Sequence, residues 1–122
     1  MVNNQNSITK TVSFYSLSGY WVHRYVLRSS PRVQTEYTAQ DVYSFTCTSK
    51  EEDGPKDKAM SVATWTTMIS NGDGHVHTHR PGYWNTNFSL ERGRRLYKLL
   101  IKQGYSLDVP AIEEVVSEAS AS

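Results

Sequence analysis

One stretch of the chain, LERGRRLYKLLIKQG at residues 90–104, carries a strong helical period, and it follows a long run of strand-like sequence. At about 100° per residue, Leu90, Gly93, Leu96, Tyr97, Leu100 and Ile101 fill one arc. Arg92, Arg94, Arg95, Lys98 and Lys102 fill the other, with Leu99 at a boundary. Ser89 is a good N-cap, Glu91 sits in the positive first turn, and Lys98 and Lys102 lie near the negative end. Gly104 is the expected left-handed stop. Gly93 falls inside the apolar arc, where glycine costs about 1 kcal/mol relative to alanine, so close approach of the helix to a sheet is the expected compensation. A lone amphipathic helix buries its stripe by lying on something flat. The expected fold class is therefore α+β: an antiparallel sheet of about five strands with one amphipathic C-terminal helix packed on one face. Strands followed by a helix argue against a parallel, doubly wound sheet.

The preceding segments supply the strands. ITKTVSFYSL and YWVHRYVLR are rich in β-branched and aromatic residues and are separated by Ser18-Gly19, which predicts two tightly joined strands. In the second, Trp21, His23, Tyr25 and Leu27 share one face, with Tyr20, Val22, Arg24, Val26 and Arg28 on the other. Pro31 closes it. VQTEYTAQ reads as a short strand or an extended connection. DVYSFTCTS alternates, with Tyr43, Phe45 and Cys47 on one side, and Cys47 is expected to be a small core residue. KEEDGPKDK holds seven charges around Gly54-Pro55 and reads as a solvated loop between neighbouring strands. MSVATWTTMIS is a further strand. The organisation expected is a flexible terminus at residues 1–7, one domain at 8–107 and an acidic tail at 108–122. In that tail Asp108, Pro110, Ile112, Val115, Val116 and Ala119 have the spacing of a short helix that docks or stays mobile. The strands-then-helix layout is similar to small modules such as the WGR domain, but the Trp-Gly-Arg motif is absent and nothing is carried over from that family.

GDGHVHTHRPGYW holds three histidines in five positions. On a strand His75, His77 and His79 point the same way, about 7 Å between successive members, so two can reach one zinc ion but the outer pair is about 13 Å apart. A two-residue loop at Gly72-Asp73, or a four-residue loop from Asn71 to Gly74, pairs Ser70 with His75, Met68 with His77 and Thr66 with His79. A three-residue loop would shift the register by one. The first arrangement is preferred, because it aligns Val76 and Thr78 with Trp65, Thr67 and Ile69 on the core side and leaves the histidines as the exposed polar set of an edge strand. A zinc site on His75, His77 and His79, serving a metal-binding protein or metal-dependent enzyme, is the alternative.

The formal net charge of +1 conceals a segregation. Residues 61–107 carry six Lys or Arg against two Asp or Glu, whereas residues 108–122 carry four acids and no base. That pattern permits internal screening, yet leaves a basic surface for an anionic partner. No nucleophile elbow, phosphate-binding glycine loop, CxxC pair or HExxH sequence occurs, which points away from an enzyme. No apolar run is long enough to span a bilayer, and a cytoplasmic, soluble protein with no cofactor is expected. The leading functional expectation is a non-enzymatic interaction protein that binds an acidic protein partner through Arg92, Arg94, Arg95, Lys98 and Lys102, with Tyr83 and Trp84 as an aromatic loop. A single-stranded nucleic-acid-binding module is the alternative, because Trp21, His23, Arg24, Tyr25 and Arg28 interleave cations with aromatics on one strand while Arg92, Arg94, Arg95, Lys98 and Lys102 line the helix, a combination that holds phosphates by charge and nucleobases by stacking.

Overall fold

The computed structural model describes residues 11–114. The expected loose terminus at residues 1–7, and Val115, Val116 and Ala119 of the tail, lie outside the described residues. Seven strands precede the helix: β1 (Thr11–Tyr15), β2 (Trp21–Arg28), β3 (Arg32–Val33), β4 (Tyr37–Ser49), β5 (Ala59–Ser70), β6 (Val76–His79) and β7 (Asn85–Ser89). All pair antiparallel in one sheet, in the order β1-β2-β4-β5-β6, with β3 beside β4 and β7 beside β5. The sheet is five positions wide, as expected, and two short strands, β3 and β7, bring its strands to seven. The two long central strands each hold two partners end to end. Residues 42–49 of β4 face β2 while Thr38 and Ala39 face β3. Residues 59–63 of β5 face β7 while 66–69 face β6.

The register sorts the side chains onto two faces. On one lie His23, Tyr25 and Leu27 of β2, Tyr43, Phe45 and Cys47 of β4, and Met60 and Val62 of β5. The helix α1 (Leu90–Lys102) packs on this face, closing a core of Leu27, Phe45, Cys47, Met60, Val62 and Leu100. Its ends follow the local sequence. The Ser89 hydroxyl accepts from the Arg92 N–H at 3.2 Å, and Gly104 leaves the helix at φ 102°. A Cβ on Gly93 would stand 2.2 Å from the Met60 sulfur, so the glycine permits the close helix–sheet approach that its position in the apolar arc implied.

The other face carries Val26, Val42, Ser44, Trp65, Thr67 and Ile69 and was expected to be the core side. Helix α1 does not cover it. After α1 the chain crosses the end of β2, where Ser106 bridges to Arg28, and Val109 to Ile112 fold onto this second face. Gln40, fully buried, fastens them. Its side-chain amide donates to the carbonyls of Ser29 (2.9 Å) and Pro110 (3.1 Å), and its carbonyl accepts from the Ile112 N–H at 3.1 Å. Burying an amide group is costly unless every polar atom is bonded, and here both ends are. The described part of the tail is therefore docked. Among the described residues no helix is long and apolar enough to cross a membrane.

Candidate functional site

The five cations expected to form a basic helix face are all exposed. Among the described residues no carboxylate lies within 4.0 Å of any of them. They divide by helical position. Arg92, Arg95 and Lys102 point outward around Leu99, which is half-exposed. Arg94 and Lys98, one turn apart, lie on the flank above a cavity between α1 and the sheet. Arg92 also rests over the Phe88 ring at 4.8 Å, which fixes its direction.

Two of the tail acids, Glu113 and Glu114, act on a different cation. Arg28 lies on the sheet face opposite α1; burial lowers its pKa, and Glu114 and Glu113 partly offset that shift. Glu113 and Glu114 therefore act on Arg28, whose side chain lies on the sheet face opposite α1.

Tyr83 and Trp84 precede β7 at the far end of the helix-covered face. Tyr83 is 72% exposed and Trp84 40%, with the Arg80 guanidinium 5.3 Å above the Trp84 ring. Tyr83 also lines a polar pocket of about 280 Å³ with Asp41, Tyr43, Thr66, His79 and Tyr105. Arg32 grips Asp41 with two guanidinium nitrogens, and Thr66 donates to the same carboxylate at 2.8 Å. With three donors already placed, Asp41 is a structural anchor and not a free general base.

The histidine strand has the expected register: Thr66 pairs with His79, Thr67 with Thr78 and Met68 with His77. Its loop has four residues, not two, closed by the Ser70 N–H to His75 carbonyl bond (2.9 Å) and by Gly74 at φ 75°. His75 precedes the strand and donates its N–H to Asp73 at 2.9 Å, a bond that lowers the Asp73 pKa. His77 and His79 share the face that α1 packs on, not the face opposite the core, but they lie beyond the helix and all three imidazoles are exposed. Among the described residues no group of three or more His, Cys, Asp or Glu side chains is placed to share a metal ion.

The interleaved set on β2 is split by the pleat. Arg24 and Arg28 project on the tail side, while Trp21, His23 and Tyr25 project on the helix side, where His23 is 4% exposed. Its Nδ1 bonds the Ser13 hydroxyl at 3.0 Å and its Nε2 the Ser49 hydroxyl at 2.9 Å. Ser49 donates its own proton to the Glu51 carbonyl, so Nε2 is the donor to Ser49. Burial lowers the pKa of the ring, with Lys56 adding to the effect, and this favours the neutral form, in which Nδ1 accepts from Ser13. Cys47 is buried and its thiol pKa is raised by the same desolvation.

Comparison with protein-family models, with curated proteins and with solved structures gives no match. Sequence reasoning missed Lys56 and Asp41. Lys56 sits in the charged loop read as solvent-facing, and its only local signal is Pro55, which turns the chain back toward β4 at the Ser49–Lys56 bridge. Asp41 opens a clear strand pattern, and its partner Arg32 comes from a segment left ambiguous.

Proposed function

We propose that this chain is a non-enzymatic binding module that docks an acidic macromolecular partner on the outer side of α1. The observation that carries the reading is the sidedness of charge. Arg92, Arg95 and Lys102 share the exposed side of α1 with Leu99 and have no carboxylate within 4.0 Å among the described residues, while Glu113 and Glu114 act on Arg28 across the sheet. Unscreened cations raise the local concentration of an anionic partner and speed its capture, and an apolar side chain among them rewards close contact. Tyr83, on the same side of the sheet, supplies an ancillary aromatic contact. An acidic protein is favoured over single-stranded nucleic acid because the aromatic and basic residues of β2 do not share a surface.

The test is fluorescence polarisation with two labelled probes, a poly-glutamate peptide and a single-stranded oligothymidylate. The expected result is salt-sensitive binding of poly-glutamate that the triple variant Arg92→Glu/Arg95→Glu/Lys102→Glu weakens by at least about tenfold. These substitutions are exposed and should leave stability within roughly 1 kcal/mol. No binding of either probe at low salt overturns the reading. Tighter binding of the oligonucleotide with a steeper salt slope replaces it with nucleic-acid recognition.

A further inference from the structure

Helix α1 does not seal completely against the sheet. A cavity of about 380 Å³ remains between them, with Tyr25, Phe45, Cys47, Met60, Leu90 and Tyr97 along its wall. Lys56, Arg94 and Lys98 stand at its rim. The volume is within the range of small-molecule sites, about 300 to 1,000 Å³. The wall is mainly carbon and sulfur, with the Tyr25 and Tyr97 hydroxyls among it, and the charged groups stand at the rim.

The rim has one sign. Lys56 is anchored by its own loop, its ammonium donating to the Gly54 carbonyl at 3.1 Å, while the neighbouring Asp57 is engaged by Thr48. No carboxylate among the described residues comes within 4.0 Å of the basic groups of Lys56, Arg94 or Lys98. Burial raises the Cys47 thiol pKa; Lys56 and Arg94 lower it and Asp57 adds to the rise, and Lys56 and Arg94 line the cavity beside Cys47. Three like charges around one opening repel each other, and an anion among them removes that repulsion. From this geometry we infer that the cavity binds a small amphipathic organic anion, an acyl or aryl body in the apolar space with one acid group at the Lys56/Arg94/Lys98 rim.

The inference stands apart from macromolecular docking, which uses Arg92, Arg95 and Lys102. Amide spectra of the isotopically labelled full chain, titrated with decanoate, naphthoate and decanol, test it. At least one of the two acids should give saturable shifts at Cys47, Met60 and Tyr97, and which one does so distinguishes an acyl from an aryl ligand. Decanol should bind at least about tenfold more weakly than that acid, because it offers the rim no charge. Lys56→Glu, in an exposed loop, should keep the folded spectrum and weaken the acid by a further factor of about ten. The Arg92→Glu/Arg95→Glu/Lys102→Glu variant should bind the acid within about twofold of the parent, separating this site from the outer surface. Absence of saturable shifts with both acids, equal binding of decanol, or indifference to Lys56→Glu overturns the inference.

Discussion

The two faces of the sheet are closed by different physics. On one, α1 presses an apolar stripe onto Leu27, Phe45 and Val62, a non-directional contact whose strength scales with area. On the other, a few tail residues are fastened through the buried amide of Gln40, a directional contact that depends on both ends of one side chain. Among the described residues the five α1 cations have no carboxylate within 4.0 Å, and Glu113 and Glu114 act on Arg28 on the tail side. A chain with a net charge near zero can thus carry five exposed cations on one helix, with Glu113 and Glu114 acting on Arg28 on the other face of the sheet.

The contrast can be broken from either side. Leu100→Ala removes the most buried residue of α1 and should cost about 2–5 kcal/mol, lowering global stability in urea denaturation with the tail and helix lost together. Gln40→Ala should cost less, about 1–3 kcal/mol, because it strands the Pro110 carbonyl and the Ile112 N–H without removing the apolar core. Its hydrogen-exchange signature should be local, with faster exchange at Ile112 and unchanged protection along α1. Equal loss of protection in α1 would mean that the two faces fold as one inseparable unit.

A smaller effect concerns acid. Burial lowers the folded-state pKa of His23 below its ordinary value of 6.5, so the unfolded chain binds the proton first as pH falls. The contribution is complete above about pH 6.5 and is lost progressively below it, toward the lowered folded-state pKa. His23→Gln should lower the denaturation midpoint at neutral pH, and its gap to the parent should narrow on acidification. A gap independent of pH would show that the neutral, doubly bonded ring is wrongly assigned.

Much of this architecture was legible in the chain. Period-two alternation placed Tyr43, Phe45 and Cys47 together, cap chemistry fixed both ends of α1, and Gly93 marked the close approach to Met60. Strand β7 was not legible, because NTNFS has little apolar alternation and pairs only because β5 is long enough to hold a second partner. Nor was the covered face, because β5 is apolar on both sides: Val62 faces the helix and Ile69 the tail, and alternation alone cannot rank them. Helical spacing grouped the five cations correctly as exposed. It could not divide them, since the division depends on Lys56 arriving from a distant loop to share a cavity rim with Arg94 and Lys98.

The separation of charge across the sheet is the premise of the proposed docking surface, and neutralising the tail acids tests it most directly. Poly-glutamate affinity is measured at about 0.15 M salt, where the Debye length is about 8 Å, for the parent and for Glu113→Gln/Glu114→Gln. If those acids act on Arg28 across the sheet, the two affinities should agree within about twofold. An increase of about tenfold or more in the variant would show that those carboxylates screen α1 after all, and the two faces would not be electrically separate.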